Sequence, residues 1–447
     1  MNVNPITRLD YPDPDVIRVE DTYYMVSTTM HFMPGCEILQ SFDLVHWEHV
    51  TYVYETLDHT DAQQLKSGQN IYGQGMWAAS LRYHEGRFCI CFVANDTRKT
   101  YLYTSEKIDG PWKKQLIEGF YHDGSLLFDE DGRNYIVYGN DEIWITELNE
   151  DLTAPKKDGL HRLLVSDHKN PELGYEGSHI QKINGYYYIF LVHSLRDRWM
   201  RTEACFYSDS LEGEFTGGDV LCDDRGYCGQ GVAQGGIVDT PDGKWYAMLF
   251  QDSGAVGRIP ILLPVTWKDH FPFFGQNGHV PEEIEVHSTR PGYIYQPLVG
   301  SDDFCNGLLP RWQFNHDPDP RYYHLDALQG TYTITTREVC TELTQAVNTL
   351  TQRMSYPSCA AEVTVDASAL KEGDVAGLCA LQSCYAAVGI TKHHGKYEVL
   401  MLDKKEDGIL DMTEGTVVES HQMDFRLEAD FCNMKDEARC YYRVNKG

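Results

Sequence analysis

Asn184-Gly185-Tyr186-Tyr187-Tyr188-Ile189-Phe190 is the stretch on which the class of fold turns. Asn-Gly supplies the positive φ that a two-residue hairpin demands, and the aromatic and β-branched residues after it favour a pleated strand. The phrase recurs. Before it come Glu20-Asp21-Thr22-Tyr23-Tyr24-Met25-Val26, Glu85-Gly86-Arg87-Phe88-Cys89-Ile90 and Asp131-Gly132-Arg133-Asn134-Tyr135-Ile136-Val137; after it comes Asp242-Gly243-Lys244-Trp245-Tyr246-Ala247-Met248. The copy at Glu20 lacks glycine and matches least well. Asp131-Gly132 and Asp242-Gly243 are read, like Asn184-Gly185, as two-residue turns. Another short strand precedes each of the last four turns: Ser80-Leu81-Arg82-Tyr83, Ser125-Leu126-Leu127-Phe128, His179-Ile180-Gln181-Lys182 and Gly236-Ile237-Val238-Asp239. Two units also close on a Ser-led polar turn ending in Trp, at Ser41 to Trp47 and Ser105 to Trp112. The spacing of about 45 to 65 residues is that of propeller blades with about four strands each. Five units imply five blades.

Few windows place apolar residues at i, i+3, i+4 and i+7 over three turns, so the class is all-β. Around Arg290-Pro291-Gly292-Tyr293 the repeat stops, and shorter alternating strands such as Ala361-Glu362-Val363-Thr364-Val365 follow. The expected domains are a propeller over 1–299 and an antiparallel β-sandwich over 300–447. A chain of 447 residues supports two cores.

Hydrophobic residues at 42% and charged ones at 23% place the chain among ordinary globular proteins. The net charge of −29, from 67 acidic against 38 basic side chains, repels phosphate backbones and anionic lipid surfaces. Nucleic acid and membrane are therefore not expected as partners, whereas a neutral sugar meets no such repulsion. No run approaches the roughly 20 apolar residues of a membrane span. Met1-Asn2-Val3-Asn4-Pro5 has neither the basic patch nor the apolar stretch of a secretory signal. The thirteen cysteines are odd in number and lack paired CxxC spacing, which fits a reducing cytoplasm and no zinc site. Cys89 and Cys91 alternate in an apolar run and are expected on one buried strand face.

Residues that open the inner strand of each blade face a shared central funnel. Three carboxylates occupy comparable places there: Asp13 between Pro12 and Pro14, Asp123 ahead of Ser125-Leu126-Leu127-Phe128, and Glu176 ahead of the His179 strand. The two proline rings around Asp13 restrict its backbone. Hydrolysing a glycosidic bond with inversion takes one carboxylate to deprotonate water and one carboxyl to protonate the leaving oxygen; a third can help hold that proton.

These motifs resemble glycoside hydrolase family 43, the β-xylosidase and α-L-arabinofuranosidase group, over nearly the whole chain. Tyr11-Pro12-Asp13-Pro14, Asp123-Gly124-Ser125-Leu126 and Glu176-Gly177-Ser178-His179 are similar to its three carboxylate motifs, in order. The resemblance implies Asp13 as general base, Asp123 as the residue that tunes and orients the acid, and Glu176 as general acid. It further implies a five-bladed propeller with a C-terminal sandwich, Trp77 packed beside the terminal sugar, and Arg258 contacting that sugar and the carboxylates. Phe32 is a weaker candidate for the pocket wall. Where relatives place an axial histidine near a calcium or water cluster, this chain has Gln234 ahead of Gly235-Gly236. Gln234 counts as a pocket residue; no cofactor is required, and calcium stays open because an amide oxygen can serve a hard cation. The acidic turn Asp129-Glu130-Asp131-Gly132 lacks the spaced ligands of a calcium loop and reads as a hairpin. Past Ala438-Arg439-Cys440-Tyr441-Tyr442-Arg443 the sandwich is expected to be short, leaving an edge strand unpaired.

The function expected is release of terminal xylose from β-1,4-xylo-oligosaccharides by an inverting exo-hydrolase. α-L-Arabinofuranosidase action, or both activities, is the near alternative. A non-catalytic carbohydrate-binding propeller is the alternative from another class, and it would bury charges at a cost without using them.

Overall fold

A computed structural model describes residues 2–382 and 384–444. They form two compact units, Met1–Asp252 with Gly257–Arg353, and Ser253–Val256 with Met354–Gly447.

Five four-stranded antiparallel sheets follow one another in the first unit, each a simple meander. The first holds Asp15–Val19, Thr22–Val26, Gly35–Ser41 and Glu48–Tyr54, and the second Met76–His84, Arg87–Ala94, Lys99–Ser105 and Lys113–Ile117. Ser125–Phe128, Asn134–Asn140, Glu142–Leu148 and His161–Ser166 make the third. Glu176–Ile183, Tyr186–Ser194, Arg201–Ser208 and Thr216–Leu221 make the fourth; Ala233–Asp239, Trp245–Asp252, Arg258–Lys268 and Phe271–Phe274 make the fifth. The first strand of each sheet touches the first strands of its neighbours, and the fifth returns to the first, closing the ring of a β-propeller. The ends are clasped by Asn2–Val3 pairing with Glu283–Ile284 and by Asn4, whose side chain bonds to Leu262 in both directions.

The core is divided among the interfaces between sheets. Ile38 meets Phe92 between the first and second, Cys91 joins Ile136 between the second and third, and Val137 joins Leu191 between the third and fourth. Phe190 and Leu263 fill the next interface, and Met25 and Leu262 the last. Cys89 and Cys91 share one cluster, as their alternation implies. All thirteen cysteines are free.

The hairpins differ in one respect from expectation. Asn184 and Gly185 both have positive φ in a two-residue turn, and so do Glu85 and Gly86. At 131–132 and 242–243 only the glycine is left-handed, inside longer loops closed by Asp129 N–H to Arg133 O and Thr240 N–H to Lys244 O. There the residue before glycine is not left-handed, and one further residue, Glu130 or Pro241, completes the loop.

Residues 301–353 pack within the first unit: Gln313–Asn315 pairs with Phe32–Met33 and with Leu350–Thr351. Arg353 closes this segment, with Nη1 2.9 Å from Glu37 and Nε donating to Asp10 O.

In the second unit a three-stranded sheet (Ser358–Asp366, Gln422–Asp430, Glu437–Val444) and a five-stranded sheet spanning Val375 to Val418 form an antiparallel sandwich. Ile390, Val399, Met423 and Phe425 lie at its centre. No helix among the described residues is long and apolar enough to cross a membrane.

Candidate active site

The five inner strands share a local device at one end of the ring. Asp13, Ala78, Asp123, Gly177 and Gln234 occupy equivalent places, and all five have a left-handed φ, between 38° and 67°. In the second, fourth and fifth sheets the strand register slips across this point, between Trp77 and Ser80, Glu176 and His179, and Ala233 and Gly236. Such a bulge re-aims the side chain beside it. Asp13 and Asp123 sit on the left-handed residue, whereas Trp77 and Glu176 directly precede it. The carboxylates thus reach the funnel from two neighbouring places in the repeat rather than one. At Gly177 the Gln234 side chain, 2.7 Å from where a Cβ would stand, favours glycine, although the four equivalent places carry side chains on the same left-handed backbone.

Asp13, Trp77, Asp123, Glu176, Gln234 and Arg258 line one pocket, together with Thr28, Met30 and His122. Its cavity volume is about 70 Å³. Asp13 is buried and held at both oxygens: Thr28 donates at 2.5 Å and Arg258 Nη1 at 2.9 Å. Thr28 in turn accepts from Ala78 N–H, tying the first two sheets together beside the carboxylate. Asn140 donates to Glu176 Oε2 at 2.7 Å, and His122 Nε2 lies 3.4 Å from that oxygen and 3.6 Å from Asp123 Oδ2. Gly177 N–H donates to Asp123 Oδ2 at 2.9 Å.

Burial raises the Asp123 carboxyl above its ordinary value, and Glu176 and Asp13 add to this against the lowering by His122 and Gly177 N–H. For His122 burial acts downward, but the facing carboxylates of Asp123, Glu176 and Asp13 outweigh it and hold the imidazole above its usual value. The pocket therefore favours a proton on His122 and Asp123, while Asp13 faces a guanidinium.

Phe32 does not join the pocket lining. Its backbone pairs with Asn315 and its ring lies 4.2 Å from that of His31, so the side chain serves the packing of residues 301–353. Met30, two residues earlier and bridged to Met76, lines the pocket instead. Sequence reasoning passed over Met30, Thr28, Asn140 and His122. His122 had a signal, since it adjoins Asp123; the others are recognisable only by their partners.

Directly beneath the pocket the same strands form a closed belt. Asp15 Oδ2 accepts from Arg82 Nη1 and from Leu81 N–H, each at 2.7 Å, and Oδ1 lies 3.1 Å from His179 Nδ1. Arg82 also donates to Leu126 O, Ser125 Oγ and Ile180 O, so one guanidinium ties the strands that follow Asp13, Asp123 and Glu176. Burial alone would raise Asp15, but Arg82 and His179 bring it down to about 2.

For a metal, His122, Asp123 and Glu176 offer ligand atoms within 4.8 Å of one another. One imidazole nitrogen and two carboxylates do not match the six to eight oxygens that calcium takes. The Gln234 side chain lies against Gly177, and the belt below already holds a cation, the Arg82 guanidinium.

Comparisons with known proteins bear on the family and the fold. The family model "Beta xylosidase C-terminal Concanavalin A-like domain" matches residues 301–447. The structure of a bifunctional GH43-CE protein of Bacteroides eggerthii superposes with a TM-score of 0.92 at 41% identity, covering 99% of this chain; the present chain spans 57% of that protein. A β-xylosidase of Formosa agariphila is 27% identical, over 90% of this chain and 76% of its own. A non-reducing end α-L-arabinofuranosidase of Bacteroides ovatus is 24% identical, over 92% and 79%. The model "Glycosyl hydrolases family 43" matches residues 3–272, the part that carries all three carboxylates, and the chain therefore belongs to glycosyl hydrolase family 43.

Proposed function

We propose that the protein is an exo-glycosidase that releases terminal xylose from β-1,4-xylo-oligosaccharides with inversion. The observation that carries this reading is the convergence of Asp13, Asp123 and Glu176, from three different sheets, on one small pocket walled by Trp77. A binding protein has no use for this arrangement, because buried charges are costly unless they react or are paired.

Glu176, protonated, gives its proton to the glycosidic oxygen as the bond from that oxygen to the anomeric carbon breaks. Asp13, hydrogen-bonded by Arg258 and Thr28, takes a proton from the water whose oxygen bonds to the same carbon from the opposite face. Solvent then removes the proton from Asp13 and returns one to Glu176. Asn140 orients the Glu176 carboxyl, and Asp123 orients the Gly177 backbone beside it. Trp77 offers an aromatic face to the sugar, and Arg258 a planar fork of donors to its hydroxyls. No step needs a metal or cofactor.

Similarity to both a β-xylosidase and an α-L-arabinofuranosidase favours a second activity on terminal arabinofuranose. The two are separated by the specificity constants for the 4-nitrophenyl β-D-xylopyranoside and α-L-arabinofuranoside. Proton NMR of xylobiose hydrolysis should show the α-anomer of xylose first; the β-anomer first would rule out inversion. Glu176→Gln should lower kcat on xylobiose about 10²- to 10⁴-fold while the variant still binds it, and full activity in this variant would remove Glu176 as the acid.

A further inference from the structure

Of the eight tryptophans, seven are buried or half-buried and Trp199 alone is exposed, at 43%. It lies in the connection between Tyr186–Ser194 and Arg201–Ser208. The register of the fourth sheet, with Glu176 opposite Val192, Val192 opposite Glu203 and Ser194 opposite Arg201, puts this connection at the same end of the sheet as Glu176. An indole that hydrophobic burial would normally draw inward stands in solvent at the pocket end of the blade.

Arg201, two residues further on, connects the ring to the chemistry. Its guanidinium lies 5.1 Å from the Trp199 centroid and 5.4 Å from that of Phe250. It pairs with Asp252, which also holds Arg258 at 3.2 Å, and Arg258 reaches Asp13. A continuous file of paired groups thus runs from the exposed ring into the pocket. Arg201 itself is 9% exposed, and its Nε has no hydrogen-bond partner.

We propose that Trp199, braced by the Arg201 guanidinium against its ring, forms the subsite for the sugar ring on the leaving-group side of the scissile bond. The C–H face of a pyranose lies on the indole, whose π-face is electron-rich. The chemical class is a neutral xylose residue that becomes the departing alcohol. The subsite rests on the hydrolase reading above.

The test uses the full chain, unmodified and as Trp199→Ala and Trp199→Phe, on two substrates. Xylobiose has a sugar leaving group, whereas β-D-xylopyranosyl fluoride has none and samples the pocket alone. The ratio of kcat/KM for xylobiose to that for the fluoride should fall about tenfold in Trp199→Ala, and Trp199→Phe should restore most of it. An unchanged ratio, including one produced by equal losses on both substrates, overturns the subsite. Turnover of neither substrate by the unmodified chain overturns the hydrolase reading and the subsite together.

Discussion

The pocket floor and the belt beneath it share four of the inner strands, yet they treat carboxylates in opposite ways. Asp15, in the belt, has both oxygens engaged by Arg82, His179 and Leu81 N–H, and its carboxyl is held at about 2. Asp123, one layer up, is buried just as deeply, faces two further carboxylates, and is pushed upward instead. A group at about 2 cannot exchange protons near neutral pH and serves as a strut. A buried carboxyl that faces other carboxylates keeps the capacity to handle a proton, which is what acid catalysis requires. The difference lies in the fixed cations within reach and not in residue type or depth.

Removing a charge from each layer should therefore have different consequences. The largest effect is expected for Asp13→Asn, which keeps the shape of the side chain and removes the base. Activity on 4-nitrophenyl β-D-xylopyranoside should fall about 10²- to 10⁴-fold with little change in the thermal midpoint. A fall in stability without loss of rate would put Asp13 among the struts.

Arg82→Met should act the other way. It leaves Asp15 buried without its permanent cation, and breaking such a pair from one side costs about 3–5 kcal/mol. Denaturant unfolding should show this loss of stability directly, and an unchanged midpoint would mean that the belt does not hold the strands together.

Glu203→Gln gives the smallest and most selective effect. Glu203 is fully buried in the fourth sheet; one oxygen accepts from Gln234 N–H and the other has no partner. Burial raises its carboxyl well above the ordinary glutamic acid value, so the folded chain holds that proton more tightly than the unfolded chain. Its contribution to stability is complete below the unfolded value, about 4.3, and is lost as pH rises toward the folded one. Gln keeps an acceptor for Gln234 and does not ionise. Thermal midpoints of the two chains should coincide near pH 4 and separate toward pH 8, with the variant higher; parallel curves would show that Glu203 is not held protonated.

Much of this was open to inspection along the chain. The turns at Asn184-Gly185 and Glu85-Gly86, and the aromatic runs after them, specify hairpins locally, because left-handed turn residues and pleated side-chain alternation act over a few residues. Asp13, Asp123 and Glu176 stood out because the repeat put them at like places, although Glu176 proves to be one residue off the register of the other two. Phe32 misled because an aromatic near the first carboxylate looks like a pocket wall. Its direction depends on Asn315, nearly three hundred residues later. Arg82, Glu203 and Arg201 gave no signal at all, since a lone charged residue within a strand reads as a surface group until its partners are known.

The order of residues by itself determined the all-β class, the recurring meander and the carboxylates worth watching, since each depends on patterns within one blade. Only the closed ring decided which carboxylate is a strut and which faces the pocket, that Met30 rather than Phe32 lines the wall, and that Arg82 secures three strands at once. Electrostatic character is set by distance through space, and closing the ring brings Asp13 and Arg258, two hundred and forty-five residues apart, within 2.9 Å.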